Sequence, residues 1–319
     1  EIFKDAKDIG LKKVNMTGGE IFCRSDSIEL IKDTINMGLN VSIETNGTMI
    51  TESQIKELSQ YKDNLSMSIS LDGITSETNN LTRGNGSFEK TFNTIKTIKK
   101  YNIPLRIITV LSDNNYDEIP KLAKTIHEEL GLGFRLLPNI IEYGKGVTAN
   151  DEYGVSYPKI KKLMDDFYYD FLRKHAEDEN LTIELNMAII PIDIYRHSFC
   201  PWGKAMLGIG YSGNVALCHV ASDNDMFIFD NVKNNKISDI WKYNKKLLKF
   251  VNENPDDLKG VCGNCLARSL CRGGCRLHAM SKYLGDFYAP DPDCQKVYDI
   301  GMFPEYALDD VEKVCNYEK

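Results

Sequence analysis

Two rhythms of apolar and polar positions run through the first 140 residues. Short stretches rich in β-branched and apolar side chains occupy 13–16, 41–45, 65–71, 105–110 and 134–137. Between them, apolar residues recur three or four apart, as in Ile28, Ile31 and Ile35, in Phe88, Phe92, Ile95 and Ile98, and in Ile119, Leu122, Ile126 and Leu130. The first rhythm predicts strands and the second predicts amphipathic helices, with Gly38 and Gly131 placed where helices should stop. Strands alternating with helices predict repeated βα units and a parallel sheet. The pattern alone leaves a barrel and a Rossmann-type sheet both open. In either, the chemistry belongs at the C-terminal ends of the strands, here the loops 17–23, 46–49, 72–86 and 112–115.

Residues 151–195 break the rhythm. A long helix is predicted over 157–174, followed by an extended run over 181–194. From Cys200 the texture changes to glycine, cysteine and short strands. Three parts are expected: a βα domain over 1–150, a bridging helix and strand over 151–195, and a Cys-rich domain over 196–319.

A chain of 319 residues, 42% hydrophobic, 27% charged and of net charge −7 can bury a sizeable core. Its acidity argues against capture of nucleic acid or of an anionic membrane surface. It contains no run of 18 apolar residues, so no span crossing a bilayer is expected. The opening EIFKDAKDIG places Ile2, Phe3, Ala6 and Ile9 on one helical face before Gly10, and the expectation is a helix whose chain begins further upstream.

Nine cysteines are present, five of them within 262–294. Clustering of this kind in a long, enzyme-like chain points to metal more than to disulfides. The string runs Cys200-x12-Gly213-x4-Cys218, then Cys262-x2-Cys265-x5-Cys271-x3-Cys275, then Cys294. Thiolates without interleaved histidine pairs suit zinc or iron–sulfur groups. A zinc ribbon would use Cys262, Cys265, Cys271 and one more, leaving Cys200 and Cys218 without a task.

The string resembles the seven-cysteine motif of SPASM domains, the C-terminal extensions of radical S-adenosylmethionine enzymes that maturate peptides and proteins. The stretch 229–241 resembles the family's linking segment. The resemblance implies two auxiliary [4Fe–4S] clusters. One would be held by Cys262, Cys265, Cys271 and Cys294, the other by Cys200, Cys218 and Cys275. Two-cluster ferredoxins likewise send one cysteine of a run to the other cluster. Residues 201–217 supply no further cysteine, so the second cluster would have an open iron, a water or a non-cysteine ligand.

The first half resembles the same family. Gly18-Gly19-Glu20 is similar to its GGE motif, which implies that these backbone groups and the Glu20 carboxylate bind the amino group of S-adenosylmethionine. Thr45-Asn46-Gly47 matches the TNG turn. The segment Ser70-Leu71-Asp72-Gly73 with Arg83 resembles the part that contacts the cofactor's carboxylate and ribose, so Asn46, Ser70, Asp72 and Arg83 are further candidates. Asn-Gly and Asp-Gly also favour turns with no ligand, and that plain alternative stands for Asn46 and Asp72. The family's CxxxCxxC, which would hold a third [4Fe–4S] cluster, is absent and is expected upstream of residue 1. Cys23 is read as a plain buried thiol, Cys315 as incidental, and His278 as a turn cap. His219 follows Cys218 directly. No residue is assigned as catalytic.

The fold implied is α/β: a partial (β/α)6, TIM-like radical S-adenosylmethionine barrel followed by a small Cys-rich SPASM domain with two Fe–S clusters. The implied function is a cytoplasmic oxidoreductase that forms an oxidative crosslink, such as a thioether, in a ribosomally synthesised precursor peptide. Its reductant would be a flavodoxin or ferredoxin. One alternative is an anaerobic sulfatase-maturing enzyme generating formylglycine. Those enzymes resemble one another in placing Asp where this chain has His219. The other is a non-catalytic zinc or Fe–S protein serving structure or electron transfer.

Overall fold

The computed structural model describes residues 1–138, 140, 142–184, 189–190 and 200–309. It divides into two compact units, one of residues 1–137 with 177–182 and one of the described residues in 138–176 and 183–319.

In the first unit, helices α1 (Ile2–Lys7), α2 (Ser27–Asn36), α3 (Glu52–Leu58), α4 (Ser76–Arg83), α5 (Ser87–Lys100) and α6 (Ile119–Lys124) alternate with strands. The strands are β1 (Lys13–Met16), β2 (Asn40–Thr45), β3 (Leu65–Ser70), β4 (Leu105–Val110) and β5 (Gly133–Leu137), and β6 (Leu181–Ile183) joins after a long excursion. Their order in the sheet is β1-β2-β3-β4-β5-β6, and each pairing from β1 to β5 is parallel. A doubly wound sheet reverses its strand order at the middle, whereas strands laid down in chain order are those of a barrel. Among the described residues β1 and β6 form the two edges of this sheet.

The pleat explains the split of residues between its two faces. Val41, Ile43, Leu65, Met67, Ile69, Leu105, Ile107, Phe134 and Leu136 are buried on one face, and Ile31, Ile35, Ile55, Leu58, Ile95, Ile98 and Leu122 supply the buried side of the helices. The alternate positions are half-exposed and mostly polar: Ser42, Glu44, Ser66, Ser68, Ser70, Arg106 and Arg135, with Ile108, Val110 and Leu137 as apolar exceptions.

The predicted helix over 157–174 is observed as Tyr157–Leu163, a wider π turn over Met164–Tyr168, and Tyr169–Lys174. Of the expected extended run, only Leu181–Ile183 is strand; 185–188 and 191–194 lie outside the described residues. The second unit carries a small antiparallel sheet of β7 (Gly208–Ile209), β8 (Asn214–Ala216) and β9 (Ile228–Asn231). Aromatic rings fill its core. Phe250 packs edge-on to Phe287 at 5.0 Å, to Phe229 at 5.7 Å and to Phe227 at 6.1 Å, and Trp202 meets Phe287 at 6.0 Å. Short helices Gly260–Gly263, Arg268–Cys271, Arg276–Lys282 and Pro292–Asp299 follow; Cys262, Cys271 and Cys294 sit on them, Cys275 precedes the third, and Cys265 lies between the first two. Among the described residues no helix is long and apolar enough to cross a membrane.

Candidate functional site

At the C-terminal edge of β1 the chain turns through Gly18, whose φ of +144° strains any residue with a Cβ. A Cβ built there or at Gly19 meets nothing within 4 Å, so the backbone of this loop is open to a ligand. Glu20 then braces the edge. Its Oε1 accepts from the Phe22 backbone N–H at 3.1 Å, its Oε2 accepts from the Asn46 N–H at 2.9 Å, and the Thr45 hydroxyl donates to both oxygens at 2.8 and 2.9 Å. The carboxylate thus ties the Gly-Gly-Glu loop to the turn after β2. That turn closes on itself: Asn46 Oδ1 accepts from the Thr48 N–H and hydroxyl, at 2.8 and 2.7 Å. The Asn46 carbonyl receives the Thr91 hydroxyl of α5 at 2.8 Å.

Ser70 ends β3 with no side-chain hydrogen bond among the described residues. Asp72 is differently placed. It is buried, and its carboxylate is filled by Arg83 Nε (2.6 Å) and Nη2 (3.2 Å), by the Thr82 hydroxyl (3.1 Å) and by the Val110 N–H (3.0 Å). Asp72 is therefore the buried partner that aims Arg83 rather than a group open to a ligand. Arg83 keeps its Nη1 free of any hydrogen bond among the described residues, at 27% side-chain exposure. Cys23 is exposed instead of buried, because Ile21 and Phe22 take the inward positions of the 3-10 turn that it ends.

The seven cysteines of the second unit fall into two electrostatic neighbourhoods. Burial, then the Asp291 carboxylate, then Cys200 and Cys218 raise the Cys275 thiol to about 12; Cys200 is an exposed residue, yet partial enclosure of its thiol lifts it to about 11, helped by Cys218. In the other group burial is again the first cause. It lifts Cys271 to about 11, with a contribution from Cys265, and pushes Cys262 and Cys294 well up, each with a contribution from Cys271. Among the described residues no three His, Cys, Asp or Glu side chains close around a single point. Asp291 links the two groups. Its N–H donates to Cys262 Sγ at 3.3 Å, while its carboxylate accepts from the Cys275 N–H at 3.3 Å and from the Cys294 N–H at 3.2 Å. His278 is no turn cap: it lies buried in the helix Arg276–Lys282, where burial lowers its pKa. His219 is exposed beside Cys218, and Cys315 lies outside the described residues.

Residues 1–126 match the model of the radical SAM superfamily, and residues 200–266 match SPASM, an iron–sulfur cluster-binding domain. The chain is a radical S-adenosylmethionine enzyme with a SPASM domain. Among its relatives is an AdoMet-dependent heme synthase of Methanosarcina barkeri, 26% identical across 91% of this chain and 84% of the relative. A PqqA peptide cyclase of Rhizobium meliloti is also 26% identical, across 92% of this chain and 76% of the cyclase. Among solved structures, Streptococcus suis SuiB bound to S-adenosylmethionine superposes with a TM-score of 0.72 at 21% identity, covering 92% of this chain and 68% of SuiB.

The residues present in this radical SAM–SPASM chain suit the groups that the family implies. Thiols buried this deeply stay protonated unless a cation draws off the proton, and an iron–sulfur cluster is such a cation source for sulfur-only ligands. The open Gly18-Gly19 backbone and the unengaged Ser70 hydroxyl suit a polar ligand at the sheet edge. Two residues escaped sequence reasoning. Asp291, followed by Pro292 and three residues before Cys294, carries a legible N-cap signal. Arg276 carries none, since nothing in the sequence marks a buried arginine as part of a site.

Proposed function

We propose that this radical SAM–SPASM enzyme matures a ribosomally made peptide by an oxidative crosslink, such as a thioether. In that reading Gly18, Gly19, Glu20, Asn46, Ser70 and Arg83 hold S-adenosylmethionine, with Asp72 orienting Arg83. Cys262, Cys265, Cys271 and Cys294 hold one auxiliary [4Fe–4S] cluster, and Cys200, Cys218 and Cys275 hold the other. S-adenosylmethionine and the clusters together supply radical hydrogen abstraction and electron transfer, while the protein positions and insulates them.

The feature that carries the reading is the cysteine spacing: with none in 201–217, a cluster held by Cys200, Cys218 and Cys275 would leave one position for a substrate thiolate. The peptide cyclase among the relatives supports a peptide substrate. His219, where sulfatase-maturing enzymes place Asp, disfavours the formylglycine alternative. The heme synthase relative is equally similar, so a tetrapyrrole is the competing substrate. Mass spectrometry of the reaction with a candidate precursor peptide decides. Loss of two hydrogens per event without a new aldehyde is expected. A formylglycine signature, or turnover of a tetrapyrrole with every peptide unchanged, overturns the proposal.

A further inference from the structure

Arg276 heads the fully buried side chains in size, with 1% of its surface exposed. Its guanidinium donates through Nη1 to the carbonyls of Phe287 (2.7 Å) and Ala289 (2.8 Å), and through Nη2 to the carbonyl of Gly273. The Nε–H is buried and has no acceptor. No carboxylate forms an ion pair with Arg276 among the described residues. The nearby Asp291 carboxylate is occupied by the N–H groups of Cys275, Asp293 and Cys294. A buried guanidinium with no carboxylate in ion-pair contact is costly to a fold, and its persistence calls for an anion.

The place of this cation identifies the anion. Gly273 lies between Cys271 and Cys275 on their shared loop, and a Cβ there would stand 2.5 Å from Arg276 Nη2. Only glycine lets the loop close over the guanidinium. Ala289 leads into Asp291, whose N–H reaches Cys262 Sγ and whose carboxylate caps the helix carrying Cys294. The cation is therefore held by the loop between Cys271 and Cys275 and by the 287–289 stretch that leads into the helix carrying Cys294.

We propose that Arg276 is the fixed counter-cation of the iron–sulfur cluster held by Cys262, Cys265, Cys271 and Cys294, and that it raises that cluster's reduction potential. The inference rests on the cluster assignment above. Adding an electron to a group already negative is easier beside a fixed positive charge, and hydrogen bonds toward its sulfurs act in the same direction. The orphaned Nε–H is a donor left over for such a sulfur.

The test is a potentiometric titration, followed by electron paramagnetic resonance, of the reconstituted wild type, Arg276→Lys, Arg276→Gln and Arg276→Met, with iron content measured first. In the neutral variants one midpoint is expected to fall, by tenfold or more in the one-electron equilibrium constant, about 59 mV. Any other midpoint stays, and Arg276→Lys keeps most of the wild-type value. Unchanged midpoints at full iron content overturn the proposal. If the neutral variants fail to load iron while Arg276→Lys loads, a required positive charge is supported. If Arg276→Lys fails with them, the role is the guanidinium's hydrogen bonding to carbonyls, and the proposal falls. A wild type that takes zinc or no iron defeats the underlying cluster assignment instead, and iron analysis shows that separately.

Discussion

Removing the Asp72 carboxylate tests whether the edge of the barrel is held as described. In Asp72→Ala the Val110 N–H loses its buried acceptor, and Arg83 loses both arms of its fork and the charge they faced. Breaking a buried ion pair from one side costs about 3–5 kcal/mol. Arg83 is 27% exposed, and water recovers part of its hydration. That places the loss at the lower end, about 3 kcal/mol. For a folding unit of this size each kcal/mol moves the midpoint by about 2–4 °C, so Tm should drop by about 6–12 °C. Circular dichroism melts of the wild type, Asp72→Ala and Asp72→Asn measure this. Asp72→Asn is expected to fall between the other two, because it keeps an acceptor but not the charge. A drop of less than about 2 °C in Asp72→Ala would refute the argument that this pair is a buried strut.

Two further outcomes are expected. Glu20→Gln keeps the shape of the brace but sets an amide donor against the Thr45 hydroxyl or the Asn46 N–H; S-adenosylmethionine affinity by calorimetry should weaken about tenfold or more, with auxiliary iron content unchanged, and equal affinity would return this loop to being a plain turn. The metal-free protein should lose stability as pH rises. Its buried thiols, raised to about 11 in Cys271 and about 12 in Cys275, are neutral when folded, whereas unfolded thiols ionise near about 8.5. The stability they contribute is complete below about 8.5 and is lost as pH climbs through the folded values. Melts from pH 8 to 11 should show this decline in the metal-free form and less of it once the cysteines ligate iron; a flat profile would refute it.

The strands were legible because a helix-backed parallel strand has one continuously apolar face, as Val41-x-Ile43 and Leu65-x-Met67-x-Ile69 show. Barrel against doubly wound sheet was not legible, because periodicity carries no information about which strands become neighbours. The π turn at Met164–Tyr168 was hidden for a similar reason: one extra residue per turn barely disturbs the apolar spacing. The cysteines stood out by residue type alone, and the division into four and three rests on the motif they resemble. Asp72 was misleading from sequence. An Asp at the end of a strand looks the same whether its oxygens face a ligand or an arginine eleven residues on, and only the fold of α4 decides.

One loop of three residues separates Cys271 from Cys275, yet the two thiols serve different neighbourhoods, and Asp291 bonds to both sides of that divide. Such a loop is a party wall. Under the proposed assignment of ligands, ordering it for one group of thiols would set the position of a thiol of the other, and the filling of one site would bear on the filling of its neighbour.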